Sequence, residues 1–451
     1  FDEVWPFVSQ HFEDGIASVA STPANPGEGA QPSLLVERYV VSVLRICTMF
    51  NECEAVDTVL ATLRPLRSES LSASQAEILG ERVTSGLLMM LKLNGPHIRQ
   101  QQTWELVFEL CRMYAHHPRP IASAAALEAV QHLVTELARY LPLPVLSLAI
   151  EVSCEFHDMP DPTIDPYPAA AASTPGADAD KSDEERSNSM VVLRLLVSLL
   201  GGLAAHAEAA TEPVKQLIDA HGADGTEEAE AAAASAVGVV EGAALAAVVP
   251  LAQQALQAIA EMCLDARPAE RAAAFGELQK LVLAAEGAGL GTAEGLSWLL
   301  EELLYGLLRR IAAVTRAEDE LRVRSFNLVA QLLLQPQQLA RLEQAGAAEL
   351  TRVWDGFLGF VEGYLLCGAG RTEEGQQMRP HDAAVRAAIE QSLGNTLKSL
   401  WGSGGGAGVS PQLQSELRAK TQEALERWGP HLAQELGGEL EAAAAAAPPA
   451  A

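Results

Sequence analysis

The residues able to do chemistry in this chain are two glycine-rich strings, a few histidines and six scattered cysteines. Nucleotide hydrolysis needs a glycine-rich loop closing in Lys-Ser or Lys-Thr, so that backbone amides cradle phosphate, and no such string occurs. GAGLGTAEG at 287–295 follows a helical pattern rather than a strand and carries no lysine, so it reads as an interhelical loop. GSGGGAG at 402–408 offers still less. Neither a G-x-S-x-G nucleophile elbow nor the strands that would hold one are present. His116 and His117 precede Pro118 at a helix end, where polar and cationic side chains meet unpaired carbonyls, and a capping role outweighs metal ligation. His97 follows Pro96 at a helix start with no second histidine four residues on, and is assigned to a cap or the surface. Cys47 and Cys53 are six apart and the other cysteines are isolated, which suits reduced, mostly buried residues rather than a metal site. The sequence therefore nominates no catalytic, cofactor-binding or metal-ligating residue and implies no cofactor.

The elements that would have to position such residues are helices. Apolar residues recur at three and four throughout, and period-two alternation is never sustained. Alanine and leucine dominate while aromatics are only 5%, a composition that favours helix over sheet. Helices are expected at 2–19, 33–50, 52–66, 72–93, 97–115, 120–139 and 143–157. Trp104, Val107, Phe108, Cys111 and Tyr114 share one face, as do Leu321, Leu328, Val329, Leu332 and Leu333. Such stripes are core between neighbouring helices more often than partner grooves.

A chain of 451 residues exceeds what one core can organise, so it must divide or extend as stacked repeats. The expected organisation is a first helical-repeat block at 1–158, a flexible Pro-rich and acidic linker at 159–189, a second block at 190–438 and a disordered tail at 439–451. The linker assignment rests on MPDPTIDPYPAAAASTPGADADKSDEERSNS, where prolines forbid regular helix and the polar remainder cannot repay ordering entropy. Helix pairs of roughly 35–45 residues in the second block match the length of HEAT, armadillo or tetratricopeptide-like units. The fold class expected is an all-α, irregular helical-repeat solenoid.

Charge narrows the partners. With 59 acidic against 31 basic residues, the formal charge of -28 repels phosphate backbones and anionic headgroups at long range, which argues against nucleic acid. Arg64 with Arg67, Arg309 with Arg310, and Arg322 with Arg324 are local basic spots that read as solvated helix faces. AAAASAVGVVEGAALAAVVPLA at 231–252 is the nearest approach to a membrane span, yet Glu241 at its centre and Pro250 near its end favour a packed, Ala-rich helix. Phe1 in place of methionine, with no leader pattern after it, leads us to expect a piece of a longer protein.

Three strings are more particular than amphipathicity demands. LLVERYVVSVLRIC at 34–47, HIRQQQTWELVFELCRMYAHHPRPIAS at 97–123 and IAEMCLDARPAERAAAFGELQKLVL at 259–283 resemble, in collinear order, segments downstream of the catalytic domain in the GNOM-type, or Golgi brefeldin-A-resistance-type, large Arf guanine-nucleotide exchange factors. Weaker echoes follow in ELRVRSFNLVAQLLLQ, VWDGFLGFVEGYL, AIEQSLGNTLKSLW and GPHLAQEL. The likeness covers about three quarters of the chain. The paired tryptophans of that family are missing around 410–425, where a glycine-rich insertion intervenes.

The resemblance implies a parent protein that releases GDP from Arf with an acidic finger, a glutamate in a Phe-Arg-Leu-Pro-Gly-Glu loop. Only Pro26, Gly27 and Glu28 echo that loop here, without the preceding residues, and Glu28 is read as part of an interhelical loop. This region would correspond to the repeats downstream of the Sec-seven domain. It implies a non-catalytic regulatory scaffold whose partners are an Arf-family GTPase through the parent protein, the Golgi membrane peripherally, and homodimer or interdomain contacts, with a cytoplasmic location. Residues 34–47 and 97–114 are the segments expected to carry the family-specific surface. A generic helical-repeat adaptor or tether, the sister group of trans-Golgi exchange factors, and an enzyme whose cleft only the fold would reveal stay open as alternatives.

Overall fold

Pro120, Pro268 and Pro411 each open a helix, at positions where the missing N–H would have had no intrahelical partner. Thr292 does the same work with its side chain, whose Oγ1 accepts the Gly295 amide at 3.1 Å. The computed structural model describes residues 3–20, 31–49, 55–67, 73–117, 120–157, 188–221, 227–284, 291–314, 319–334, 336–367, 380–401, 409–428 and 433–434. Among these residues every regular element is helical. The fold is all-α, as the periodicity predicts. Of the linker expected at 159–189, residues 159–187 lie outside the described residues, as do the tail at 439–451 and Glu28, while Asn188 and Ser189 belong to a helix.

Internal contacts group the chain into two units, Phe1–Ala258 and Ile259–Ala451. The first contains α1 (Trp5–Ala20), α2 (Gln31–Met49), α3 (Ala55–Ala61), α4 (Ala73–Asn94), α5 (Gln101–Met113), α6 (Pro120–Thr135), α7 (Leu143–Glu155) and α8 (Asn188–His221). The helix α9 (Glu227–Met262) runs past the end of this unit, its last four residues falling in the second. Neighbouring pairs are α2 with α4, α4 with α6 and α6 with α8 in one layer, and α3 with α5 and α5 with α7 in the other. Each hairpin thus covers the apolar flank of the one before it, as stacked repeats must. Arg82 reaching Glu37, Asn94 reaching the Cys47 carbonyl and Lys92 reaching Glu128 set α2, α4 and α6 parallel and nearly in step. Helix α8 packs on α6 and α7.

Close approach within the layer is made possible by glycine. A Cβ added to Gly86 would lie 2.6 Å from Leu44 Cδ1, and one added to Gly15 on α1 would lie 2.6 Å from the Tyr39 ring. Tyr39 in turn meets His11 and Phe12 edge-on, at 5.7 and 5.6 Å between ring centroids. The core between the layers holds Trp104, Phe108, Tyr114 and Phe156, each sealed from solvent. Gly242–Met262 in α9 is long and apolar enough to cross a membrane by length and composition, with 33% of that window buried. Its Ala252, Ala255 and Leu256 are buried, and Gln254 accepts from Ser147 on α7 at 2.9 Å.

The second unit follows the same plan with longer pieces. Its helices are α10 (Pro268–Leu283), α11 (Ala293–Trp298), α12 (Gly306–Val314), α13 (Asp319–Leu334), α14 (Pro336–Ala345), α15 (Ala347–Cys367), α16 (Pro380–Trp401) and α17 (Pro411–Trp428). A π-helical turn, Leu299–Tyr305, joins α11 to α12. Packing runs from α10 through α13 to α16 on one side, and from α12 through α15 to α17 on the other. Successive units begin at Pro268, Asp319 and Pro380, so each takes more chain than the 35–45 residues expected from sequence. The extra length lies in the α11, π-turn and α12 run and in α14, which sits beside α15 as an additional helix.

Candidate functional site

The first two family-like strings are linked through α3 and α4, which lie between them in the chain and pack on both. Along α2, Val36, Val40, Val43, Leu44 and Cys47 are buried, while Arg38 and Arg45 point outward. At the helix end, Asn94 Nδ2 donates to the Cys47 carbonyl at 2.5 Å, satisfying one of the carbonyls that a helix terminus leaves open. The next string begins at a 3-10 turn, Gly95–His97, after which the chain extends before α5 starts at Gln101. Asp57 on α3 holds that extended piece: its carboxylate, 3% exposed, accepts the Arg99 amide at 2.9 Å and the Gln100 amide at 3.2 Å. Buried polar groups persist only when paired, and here an acid and two backbone donors satisfy one another.

On α5 the stripe Trp104, Val107, Phe108, Cys111 and Tyr114 is wholly buried, as the spacing predicts. Burial pushes the Cys47 and Cys111 thiols up to about 12 and raises the Tyr114 phenol well above its ordinary value. None of these groups is tuned toward a nucleophile, which needs a lowered pKa. The solvent side of α5 is a ladder of charges spanning three elements. Arg67 pairs with Glu109, and Arg112 with Glu155 at 2.5 Å and Glu151 at 3.6 Å, while Arg64 donates to Gln102 at 3.2 Å. The Glu155 hydrogen bond holds the Arg112 guanidinium charge still more firmly. Arg64 and Arg67, one of the basic spots in the sequence, are therefore occupied within the fold.

His97 is half-buried in the 3-10 turn, and His116 and His117 lie in the turn after α5, where His117 meets the Tyr114 ring edge-on at 5.6 Å. Among the described residues no group of three or more His, Cys, Asp or Glu side chains could hold a metal ion.

In the second unit Leu321, Leu328, Val329, Leu332 and Leu333 are buried, again as expected. The basic spots there behave differently from each other. Arg310 makes a bidentate pair with Glu261, at 2.6 and 2.8 Å, on the surface. Arg322 is only 4% exposed, which corrects its reading as part of a solvated face. Arg324 places its guanidinium 5.7 Å from the centre of the Phe275 ring. Position on α13 decides this, because Arg322 follows Leu321 onto the face that α13 turns toward its neighbours. Sequence periodicity alone ranks arginine as outward.

Two constellations escaped sequence reasoning altogether. Arg352 on α15 gathers Glu349 and Ser297, each at 2.6 Å, together with Glu301, and so ties α15 to α11 and the π turn. The Arg352 hydrogen bond holds the Glu349 carboxyl below the usual range. Beneath it Tyr305 and Phe326 stack on either side of Phe360, at 5.4 and 6.1 Å. Trp354 then reaches α17, its Nε1 donating to Thr421 Oγ1 at 3.0 Å. A groove between α15 and α17 has Leu358, Gly359 and Trp428 along it, with Asp355 and Lys420 paired at 2.8 Å at one end. The only sequence signal for these contacts is the arginine and tryptophan in AELTRVWDG, which does not name their partners.

Stacked helix hairpins with buried motif positions define the molecule as a helical-repeat protein. Residues 252–432 match the family described as the GBF1-like, tetratrico peptide repeat region. Over 141 residues the chain is 30% identical to the ARF guanine-nucleotide exchange factor GNL1 of Arabidopsis thaliana, an alignment covering 31% of this chain and 9% of that relative. Together these likenesses support a C-terminal region of a large Arf exchange factor of the GNOM or GBF1 type, in agreement with the resemblance of its three strings.

Proposed function

We propose that this chain is a non-catalytic regulatory scaffold of a large Arf guanine-nucleotide exchange factor in Golgi vesicle trafficking, serving membrane recruitment and partner or interdomain contacts. In this reading the parent protein acts on an Arf-family GTPase, is cytoplasmic and associates peripherally with Golgi membranes, and the two helical blocks flank a linker at 159–189. The observation that carries it is the likeness of residues 252–432 to the repeat region of that family, joined to a relative whose name is that of an Arf exchange factor. The fate of the motif residues supports it. Their apolar members build core and their polar members tie helices together, which is what a scaffold asks of its sequence.

The test has two arms. The purified chain is added to GDP-loaded Arf, and nucleotide release is followed by fluorescence; the rate should equal that of Arf alone. The parent protein lacking this region is then compared with the whole in a liposome flotation assay, where recruitment should fall. Faster nucleotide release with the chain alone, or unchanged recruitment without it, would overturn the reading.

A further inference from the structure

The family-like string on α2 contains two arginines that its packing does not use. Arg38 and Arg45 are exposed, and neither forms an ion pair with any described residue. With Met49, 80% exposed, they recur at i, i+7 and i+11 and so form one straight ridge. Helix α4, parallel and adjacent, repeats that spacing in Arg82, Met89 and Leu93, with Met89 60% and Leu93 50% exposed. The contacts of Glu37 with Arg82, Leu44 with Gly86, and Cys47 with Asn94 bring the two ridges into register. The arginine ends lie side by side, and so do the Met49 and Leu93 ends. Between the ridges the space over Gly86 is filled by Leu44, which closes the floor between the two helices.

We propose that this two-ridge face docks a helical segment of a partner protein, one carrying carboxylates at one end and apolar side chains at the other. Two guanidiniums without an ion pair among the described residues, in a chain of net charge -28, call for a local anionic partner. Arg82 is only half committed, through its 3.2 Å contact with Glu37, and of the nearby acids Glu128 is engaged by Lys92 while Glu81 is half-buried. The ridges span about 16 Å, or three helical turns. A face of two parallel ridges suits an amphipathic helix laid along it, and methionine adapts its shape to varied apolar side chains. A single acidic helix meets only this patch, whereas an anionic bilayer is extended and would also face the chain's acidic remainder. The proposal deepens the scaffold reading by naming a partner chemistry, but it does not require the exchange-factor assignment, so each can fail without the other.

The test selects a library of helical peptides on the intact chain and counter-selects on Arg38→Glu/Arg45→Glu, with a second variant, Met89→Asp, for the apolar end. All these side chains are exposed, and matching circular dichroism and melting curves establish that the variants fold. Selected peptides should place Asp or Glu one to two turns from Leu, Met or Phe, bind about tenfold more weakly to each variant, and protect Met49 and Met89 from oxidation. Basic or purely apolar peptides, or affinities unchanged in the variants, would sink the proposal. So would flotation on phosphatidylserine vesicles, or self-association in sedimentation, that the arginine reversal abolishes.

Discussion

At the scale of single residues, Asp57 does more than its surroundings suggest. Its carboxylate stands in for the helical carbonyls that Arg99 and Gln100 lack, across 42 and 43 positions of sequence. Replacing it by alanine orphans two backbone donors, and we expect Asp57→Ala to destabilise the first unit by about 1–3 kcal/mol in urea denaturation. The thiols of the same unit give a pH signature. Cys47 and Cys111 have their pKa raised from 9.0 to about 12 by burial. Below pH 9 both states are protonated and no penalty exists. Between about pH 9 and 12 the unfolded chain releases protons that the fold retains, so stability falls by up to about 1.4 kcal/mol per pH unit for each thiol. Urea midpoints measured across that window should drop, and Cys111→Ala should show a shallower slope than the natural chain.

At the scale of elements, glycines divide by what faces them. Gly201 in α8 has nothing within 4 Å of an added Cβ, so Gly201→Ala should stabilise by about 0.5–1 kcal/mol. Gly15 faces the Tyr39 ring, which cannot bend aside as a leucine tip can, so Gly15→Ala should lower the melting temperature instead. Helix positions were readable in the sequence because α2, α4, α6 and α7 carry their own apolar period. Two boundaries were not. The single helix expected at 52–66 is α3 followed by a separate 3-10 turn, Arg64–Arg67, where Pro65 cannot donate to the helical ladder. The helix expected from 97 starts at Gln101, because Gln100 is extended and a distant aspartate holds the Arg99 and Gln100 amides in that conformation. Tertiary contacts of that kind leave no trace in local spacing. The same is true of the Arg352 cluster and of the Trp354–Thr421 link, each made by residues far apart in the chain.

At the scale of the whole molecule, excess negative charge sets solution behaviour. A net charge of -28 repels itself, and its ion pairs are largely at the surface, where salt weakens each only slightly. Raising sodium chloride from about 0.01 to 0.15 M shortens the screening length from about 30 to 8 Å, and the melting temperature should rise as a result. A fall would mean that the surface pairs outweigh the repulsion. Length is constrained as unevenly as charge. One extra residue in the turn Leu299–Tyr305 rotates everything after it by about 100° relative to an uninterrupted helix. That offset is what lets α11 face α14 while α12 faces α13 and α15. A one-residue deletion there would swing Leu307, Leu308 and Ile311 out of the core, so the codon count of this turn is held by what packs against the helix beyond it.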